Sequence, residues 1–145
     1  ERGCSYMLMG RYEYSLDAKS RVNFPPKFRA EMGDNLYVTK WFDGCLVVYG
    51  EQRWQSLDEK FARLPVTKSR DLRRIIYGNA TEVQPDKQGR ILLPRYLKDH
   101  AKIQKDIVVI GARDYAEIWD RQAYEEYEKT NDFSSIEGKL DDMEF

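Results

Sequence analysis

Asp17 with Arg21, and Asp86 with Arg90, are the residues of this 145-residue chain whose types and spacing could do chemistry. The first pair stands in Asp17-Ala-Lys-Ser-Arg21-Val-Asn-Phe-Pro25. The second stands 69 residues later in Asp86-Lys-Gln-Gly-Arg90-Ile-Leu-Leu-Pro94. An aspartate at the head of a turn satisfies backbone amides with its carboxylate and can brace an arginine four residues on. A braced guanidinium offers a planar fork of donors that fits base edges and phosphate oxygens. Lys19 and Lys87 add a cation to each turn, and Arg11 adds one upstream of the first. This is the chemistry of polyanion recognition. Two readings stay open for each pair: an intrachain ion pair that only fixes a hairpin, or an arginine presented from a hairpin tip or edge. The recurrence of the pattern, with a lysine beside it each time, favours the second.

No catalytic constellation competes with it. The chain has no Ser-His-Asp order, Walker loop, H-E-x-x-H or Cys-x-x-Cys motif. His100 is a lone histidine in a helical stretch and reads as structural. Asp141, Asp142 and Glu144 read as an acidic end rather than a metal site, so no cofactor or metal is expected and the chain is not read as an enzyme. Cys4 and Cys45 are too few and too far apart for a disulfide scaffold and read as incidental thiols of a reducing cytoplasm. Met7 looks like a natural start, and the residues before it are given no function.

The elements that position the two turns are duplicated. Glu13 matches Glu82, Val22 matches Ile91, Phe24 matches Leu93 and Phe28 matches Leu97 at the same offset. With one added residue, Leu36-Tyr-Val-Thr matches Asp106-Ile-Val-Val, and Val48-Tyr49 matches Ile118-Trp119. A repeat on this scale decides the architecture. Each half reads as strand, turn, return strand, short helix, strand, turn, strand, helix, so the fold class is α+β and mainly β. Residues 11–16 alternate as a half-buried strand. Gly89 suits a type I turn closed by a bulge, where a positive φ is needed. Ser20 holds that place in the first copy, so its turn is expected to be strained or differently shaped. Pro25 and Pro94 suit the first turns of short helices.

Between the copies, residues 51–64 read as a helix with Trp54, Leu57, Phe61 and Leu64 at helical spacing, broken by Pro65. A second helix is expected from Ser69 as cap to Tyr77, with Leu72, Ile75 and Ile76 inward. The organisation is thus half one over 7–50, connecting helices over 51–77, half two over 78–120, and a closing helix with an acidic tail over 121–145. Beyond Thr130 the chain is expected to fray or to form a loosely held helix. Half a chain of this length buries too little core to stand alone, so the halves must pack on each other or on another chain. Trp54 and Trp119 read as core or subunit contact, and Trp54 and Tyr124 as candidate subunit contacts.

The net charge of −1 hides a segregation. Residues 114–145 hold 11 acids and 3 bases, while residues 1–113 carry a net +7. A basic body with an acidic end is compatible with a polyanion partner. The run Lys60, Arg63, Lys68, Arg70, Arg73 and Arg74 reads first as a solvated face, with phosphate or subunit contact as the alternative. No apolar run is long enough to span a membrane.

The stretches Met9 to Pro25, Gly78 to Pro94 and Val109 to Asp120 resemble the MraZ family of bacterial transcriptional regulators, over Met7 to about Lys129. Ser20 departs from the family's usual glycine. The resemblance implies two AbrB-like swapped-hairpin halves forming an intrachain pseudo-dimer. It implies a cytoplasmic, nucleoid-associated repressor that forms a homo-oligomeric ring. Its partner would be double-stranded DNA with short tandem G-rich promoter repeats, ahead of the division and cell-wall gene cluster that includes its own gene. The family motif falls on Asp17, Arg21, Asp86 and Arg90; Arg11, Lys19 and Lys87 are added from charge and position. An antitoxin-type AbrB-like regulator and a ring scaffold that does not bind DNA are the alternatives.

Overall fold

The duplicated strands exchange partners between the halves. A computed structural model gives the structure of residues 6–144; Cys4 and the other residues before Tyr6 lie outside the described residues. β1 (Arg11–Ser15) pairs antiparallel with β7 (Asp106–Gly111) of the second copy. Its duplicate β5 (Thr81–Val83) pairs with β3 (Leu36–Lys40) of the first. β3 also pairs with β4 (Leu46–Gly50), β7 with β8 (Ala116–Asp120), and β4 with β8. The result is a six-stranded sheet in the order β1-β7-β8-β4-β3-β5. β2 (Arg21–Asn23) and β6 (Arg90–Leu92) pair with each other as a two-stranded ribbon.

The expected local hairpin, in which each return strand lies along the strand before it, is therefore corrected. Each turn is closed, but the strands beyond it part. Pairing β2 with β6 sets Val22 opposite Ile91, both about fully buried, beside Phe24, Phe28, Leu93 and Leu97 in one core cluster. These six, three from each copy, meet within that cluster, and each contributes roughly 1.5–3 kcal/mol by leaving water. Neither half could complete it alone.

The exchange also corrects the register of the duplication. Glu13 lies opposite Val108, and its duplicate Glu82 lies opposite Tyr37. Tyr37 thus matches Val108 and Leu36 matches Ile107, one residue further along than the sequence alignment placed them. The side-chain period of a strand is two, so the one-residue difference decides which face is buried. Leu36 and Val38, like Ile107 and Val109, face the core.

α1 (Pro26–Met32) and α4 (Arg95–Ala101) start directly after Pro25 and Pro94, which act as N-caps. Their four-residue spacing turns Phe28 and Met32, and Leu97 and Ala101, onto the core. α2 (Glu51–Ala62) and α3 (Val66–Ile76) connect the copies. α3 begins at Val66 rather than at Ser69, because Pro65 both ends the preceding turn and caps the new helix. The Ser69 hydroxyl instead donates to the Pro65 carbonyl at 2.8 Å. Ile76 is buried and Leu72 half-buried, but Ile75 is exposed, contrary to expectation.

α5 (Arg121–Thr130) is capped by Asp120, whose carboxylate accepts from the Ala123 amide. α6 (Phe133–Asp142) follows, with no buried side chain. The acidic tail thus begins only after α5; the acids of β8 and α5 belong to the body. Trp54 stacks on Tyr37 at 5.1 Å and Tyr124 packs on Trp119 at 5.1 Å. Both proposed subunit-contact aromatics are half-buried within the chain. Among the described residues no helix is long and apolar enough to cross a membrane.

Candidate nucleic-acid interface

The two turns have the same geometry down to single hydrogen bonds. In the first, the Asp17 amide donates to the Arg21 carbonyl at 2.9 Å and the Ser20 amide to the Asp17 carbonyl at 3.1 Å. In the second, the Asp86 amide donates to the Arg90 carbonyl at 2.8 Å and the Gly89 amide to the Asp86 carbonyl at 2.9 Å. Asp17 Oδ1 accepts from the amides of Lys19 and Arg21, and Asp86 Oδ1 from those of Gln88 and Arg90, all at 2.9 Å. The other carboxylate oxygen braces the arginine: Arg21 Nε to Asp17 at 3.0 Å and Arg90 Nε to Asp86 at 3.1 Å. Ser20 adopts φ +62° and Gly89 φ +79°. The first turn is therefore not differently shaped; Ser20 takes the left-handed conformation that glycine takes without strain.

Each Asp–Arg pair is an intrachain ion pair that also leaves part of its guanidinium unengaged. The ion pair exists, and it uses only the Nε side of each fork. Arg21 is left with both terminal nitrogens unpaired among the described residues. Arg90 Nη1 crosses to Asp17 at 3.4 Å and so joins the two turns. The backbone joins them as well, with the Leu93 amide donating to the Ser20 carbonyl and the Phe24 amide to the Gly89 carbonyl.

The ribbon of β2 and β6 alternates. Val22 and Ile91 point into the core, while Arg21, Asn23, Arg90 and Leu92 form the opposite face, with Asn23 and Leu92 exposed. Asn23 and Leu92 were not among the residues expected at the interface, yet they share this face with the arginines. The signal lay in the alternation of Arg-Val-Asn and Arg-Ile-Leu, which puts a third residue on the arginine's face. A two-stranded ribbon fits the major groove, where Arg pairs with guanine, Asn with adenine and an apolar group with the thymine methyl.

Lys19 and Lys87 are exposed in the turns. Arg11 is not brought to them. It sits at the far end of β1, six residues or about 20 Å of extended chain from Asp17. There it pairs with Glu128 at 3.1 Å and Glu13 at 3.3 Å and lies over the Tyr124 ring. Of the basic run, Arg73 is used internally, donating to the Phe61 and Leu64 carbonyls, whereas Lys60, Arg63, Lys68, Arg70 and Arg74 are exposed. The His100 ring bonds the Trp41 carbonyl at 3.2 Å, a structural role. Burial pushes the Cys45 thiol well above its ordinary range. No cluster of three metal-ligating side chains occurs among the described residues.

The carboxyls of Asp17 and Asp86 are held below the ordinary range, first by the amides of Arg21 and Arg90, then by the neighbouring turn amides and the guanidinium groups. A lowered folded pKa contributes stability that is complete above the unfolded value, near 3.9, and is lost as pH falls through the folded value. Melting curves should therefore show no pH dependence from these groups between about pH 5 and 8, where their contribution is complete and constant, and a loss below about pH 4. The paired substitution Asp17→Asn with Asp86→Asn should flatten that acid limb; an unchanged limb would show that the turns are not held by charge.

Two comparisons bear on this geometry. The family model described as "MraZ protein, putative antitoxin-like" matches residues 7–74 and again 76–144. A protein of Caldanaerobacter subterraneus subsp. tengcongensis named "Transcriptional regulator MraZ" is 45% identical over 141 residues, covering 94% of this chain and 99% of that one. Proteins of the same name from Natranaerobius thermophilus and Clostridium tetani are 41% and 40% identical over 142 and 140 residues, each covered to 99%. The relatives are named as regulators, not as enzymes.

Proposed function

The chain belongs to the MraZ family, and on that premise we propose that it is a DNA-binding transcriptional regulator that reads duplex DNA with the β2–β6 ribbon. The observation that carries this is the placing of both Asp-x-x-x-Arg turns around one outward face with Arg21, Asn23, Arg90 and Leu92. Phosphate contacts from Lys19 and Lys87 set the register, and the arginine forks read base edges. Arg11, engaged by two glutamates, contributes only if DNA reaches the far end of β1.

The exchange of β1 and β5 supports an AbrB-like pseudo-dimer, with residues 7–50 and 78–120 as its halves, 51–77 as connecting helices and 121–145 as closing helix and tail. The finer reading is a cytoplasmic, nucleoid-associated repressor. It binds short tandem G-rich repeats ahead of the division and cell-wall cluster that contains its own gene, and it acts as a homo-oligomeric ring. A gel shift with the DNA upstream of its own gene tests the reading. Retarded complexes that survive competitor DNA support it. Equal binding to scrambled duplex removes sequence specificity, and no binding leaves a scaffold. Recovery of a bound partner protein whose activity the chain suppresses would favour the antitoxin-type alternative.

α6 has a part in this reading. Residues after Thr130 hold five acids and one base, and Phe133 is 84% exposed. Ending the chain at Thr130 should leave specific binding in place and strengthen non-specific binding, because acids are removed and no contact is added. Loss of binding, or of the oligomer in light scattering, would show that α6 is structural.

A further inference from the structure

Arg29 and Lys98 occupy equivalent places, 69 residues apart, on α1 and α4. Each meets the turn of the opposite half at the positive-φ residue. Lys98 Nζ donates to the Ser20 hydroxyl. The Arg29 guanidinium lies over buried Gly89, so close that a Cβ there would stand 2.9 Å from Arg29 Nη1. The two contacts are complementary in size. Where the turn carries a hydroxymethyl group, the facing cation is a slender lysine that donates to it. Where the turn carries no side chain, a broad guanidinium fills the space. Arg29 Nε is buried with no hydrogen-bond partner, and Arg29 Nη2 reaches Asp34 only at 3.9 Å. Packing on Gly89, rather than a strong ion pair, holds this side chain.

We propose that Arg29 and Lys98 are positioning residues of the interface, each locking the opposite half's turn through a matched pair: Arg29 with Gly89, and Lys98 with Ser20. This rests on the ribbon being the nucleic-acid interface. The lock fixes the residue immediately before Arg21 or Arg90 and hence the direction in which each fork is presented. It also accounts for Ser20, whose side chain is accommodated because the residue facing it is lysine.

Four variants test the proposal: Gly89→Ser, Arg29→Lys, the two combined, and Ser20→Gly with Lys98→Arg. All keep the formal charge, so bulk electrostatics is constant. Gly89→Ser alone should lower the melting midpoint by about 3–6 °C. It should also weaken binding to the duplex upstream of the gene roughly tenfold, the size of a coupling between touching side chains. Arg29→Lys alone leaves a slender lysine over a turn with no hydroxymethyl group. It should also weaken binding, by several-fold rather than roughly tenfold, and the proposal is overturned if it binds as the parent does. The combination reproduces the first-copy pair in the second turn and should recover more than half of both losses, the remainder being the positive-φ strain of serine. Ser20→Gly with Lys98→Arg should bind as the parent does. The proposal is overturned if Gly89→Ser is neutral, or if adding Arg29→Lys recovers neither property. If the parent protein binds no duplex, the nucleic-acid reading falls, while recovery of the melting midpoint still decides whether the pairs are matched.

Discussion

Replacing Arg21 or Arg90 by alanine is expected to weaken binding to the specific duplex by ~1–3 kcal/mol, up to roughly a hundredfold, while the melting midpoint stays close to the parent value. The two halves of this expectation have separate causes. Affinity falls because a bidentate guanidinium contact to a base is lost, along with its discrimination against the wrong base. The fold survives because the turn is held by the other oxygen of each aspartate: Asp17 Oδ1 caps the amides of Lys19 and Arg21, and Asp86 Oδ1 those of Gln88 and Arg90. Those amides remain when the side chain is cut to Cβ. The ion pairs removed are a quarter to a third exposed, a setting in which such a pair adds little. Arg21 should matter more for base discrimination, since Arg90 has one terminal nitrogen committed to Asp17. Parent-like affinity in either variant, with matched unfolding, would take the ribbon out of the DNA contact.

Salt dependence should show the second large effect. The chain's formal net charge is −1, so bulk attraction cannot supply affinity and local phosphate contacts must. Each phosphate neutralised lowers log affinity by about 0.9 per decade of salt, and 6–10 contacts lose roughly 10³–10⁵ between 50 and 200 mM. One chain presents two arginine turns, enough for one short box. A ring would let several chains engage tandem boxes at a spacing set by the ring, with avidity in place of new contacts. The slope should therefore be steep on a duplex with several boxes and shallow on one with a single box. Light scattering should show an oligomer larger than a dimer. A monomer with equal slopes on both duplexes would contradict the ring.

The local parts of this fold were legible in the sequence because their causes are local. Asp17 and Asp86 at turn heads, Gly89 at a positive φ, and Pro25 and Pro94 before short helices each act on neighbouring residues. The pairing partners were not legible. Val22 and Ile91 each alternate correctly for a return strand, but nothing in Arg-Val-Asn says whether it lies along Tyr12 and Tyr14 or along its own duplicate. The register of β3 against β7 was misplaced by one residue because two valines and a threonine align about equally well either way. Pairing with the exchanged strands decides it. Ser69 looked like a cap because the sequence cannot weigh a cap serine against a proline four residues earlier. Asn23 and Leu92 were legible from the alternation of their own strands. Arg29 and Lys98 were visible as residue types but not as neighbours of the turns, since the contacts that place them cross between the copies.

Footprinting on the duplex immediately upstream of the gene, with the parent protein and the Arg21→Ala, Arg90→Ala double variant side by side, tests the central claim most directly. The account predicts regularly spaced protection over repeated short boxes by the parent, and no protection at those boxes by a folded double variant at the same concentration. Identical footprints from the two proteins would contradict it.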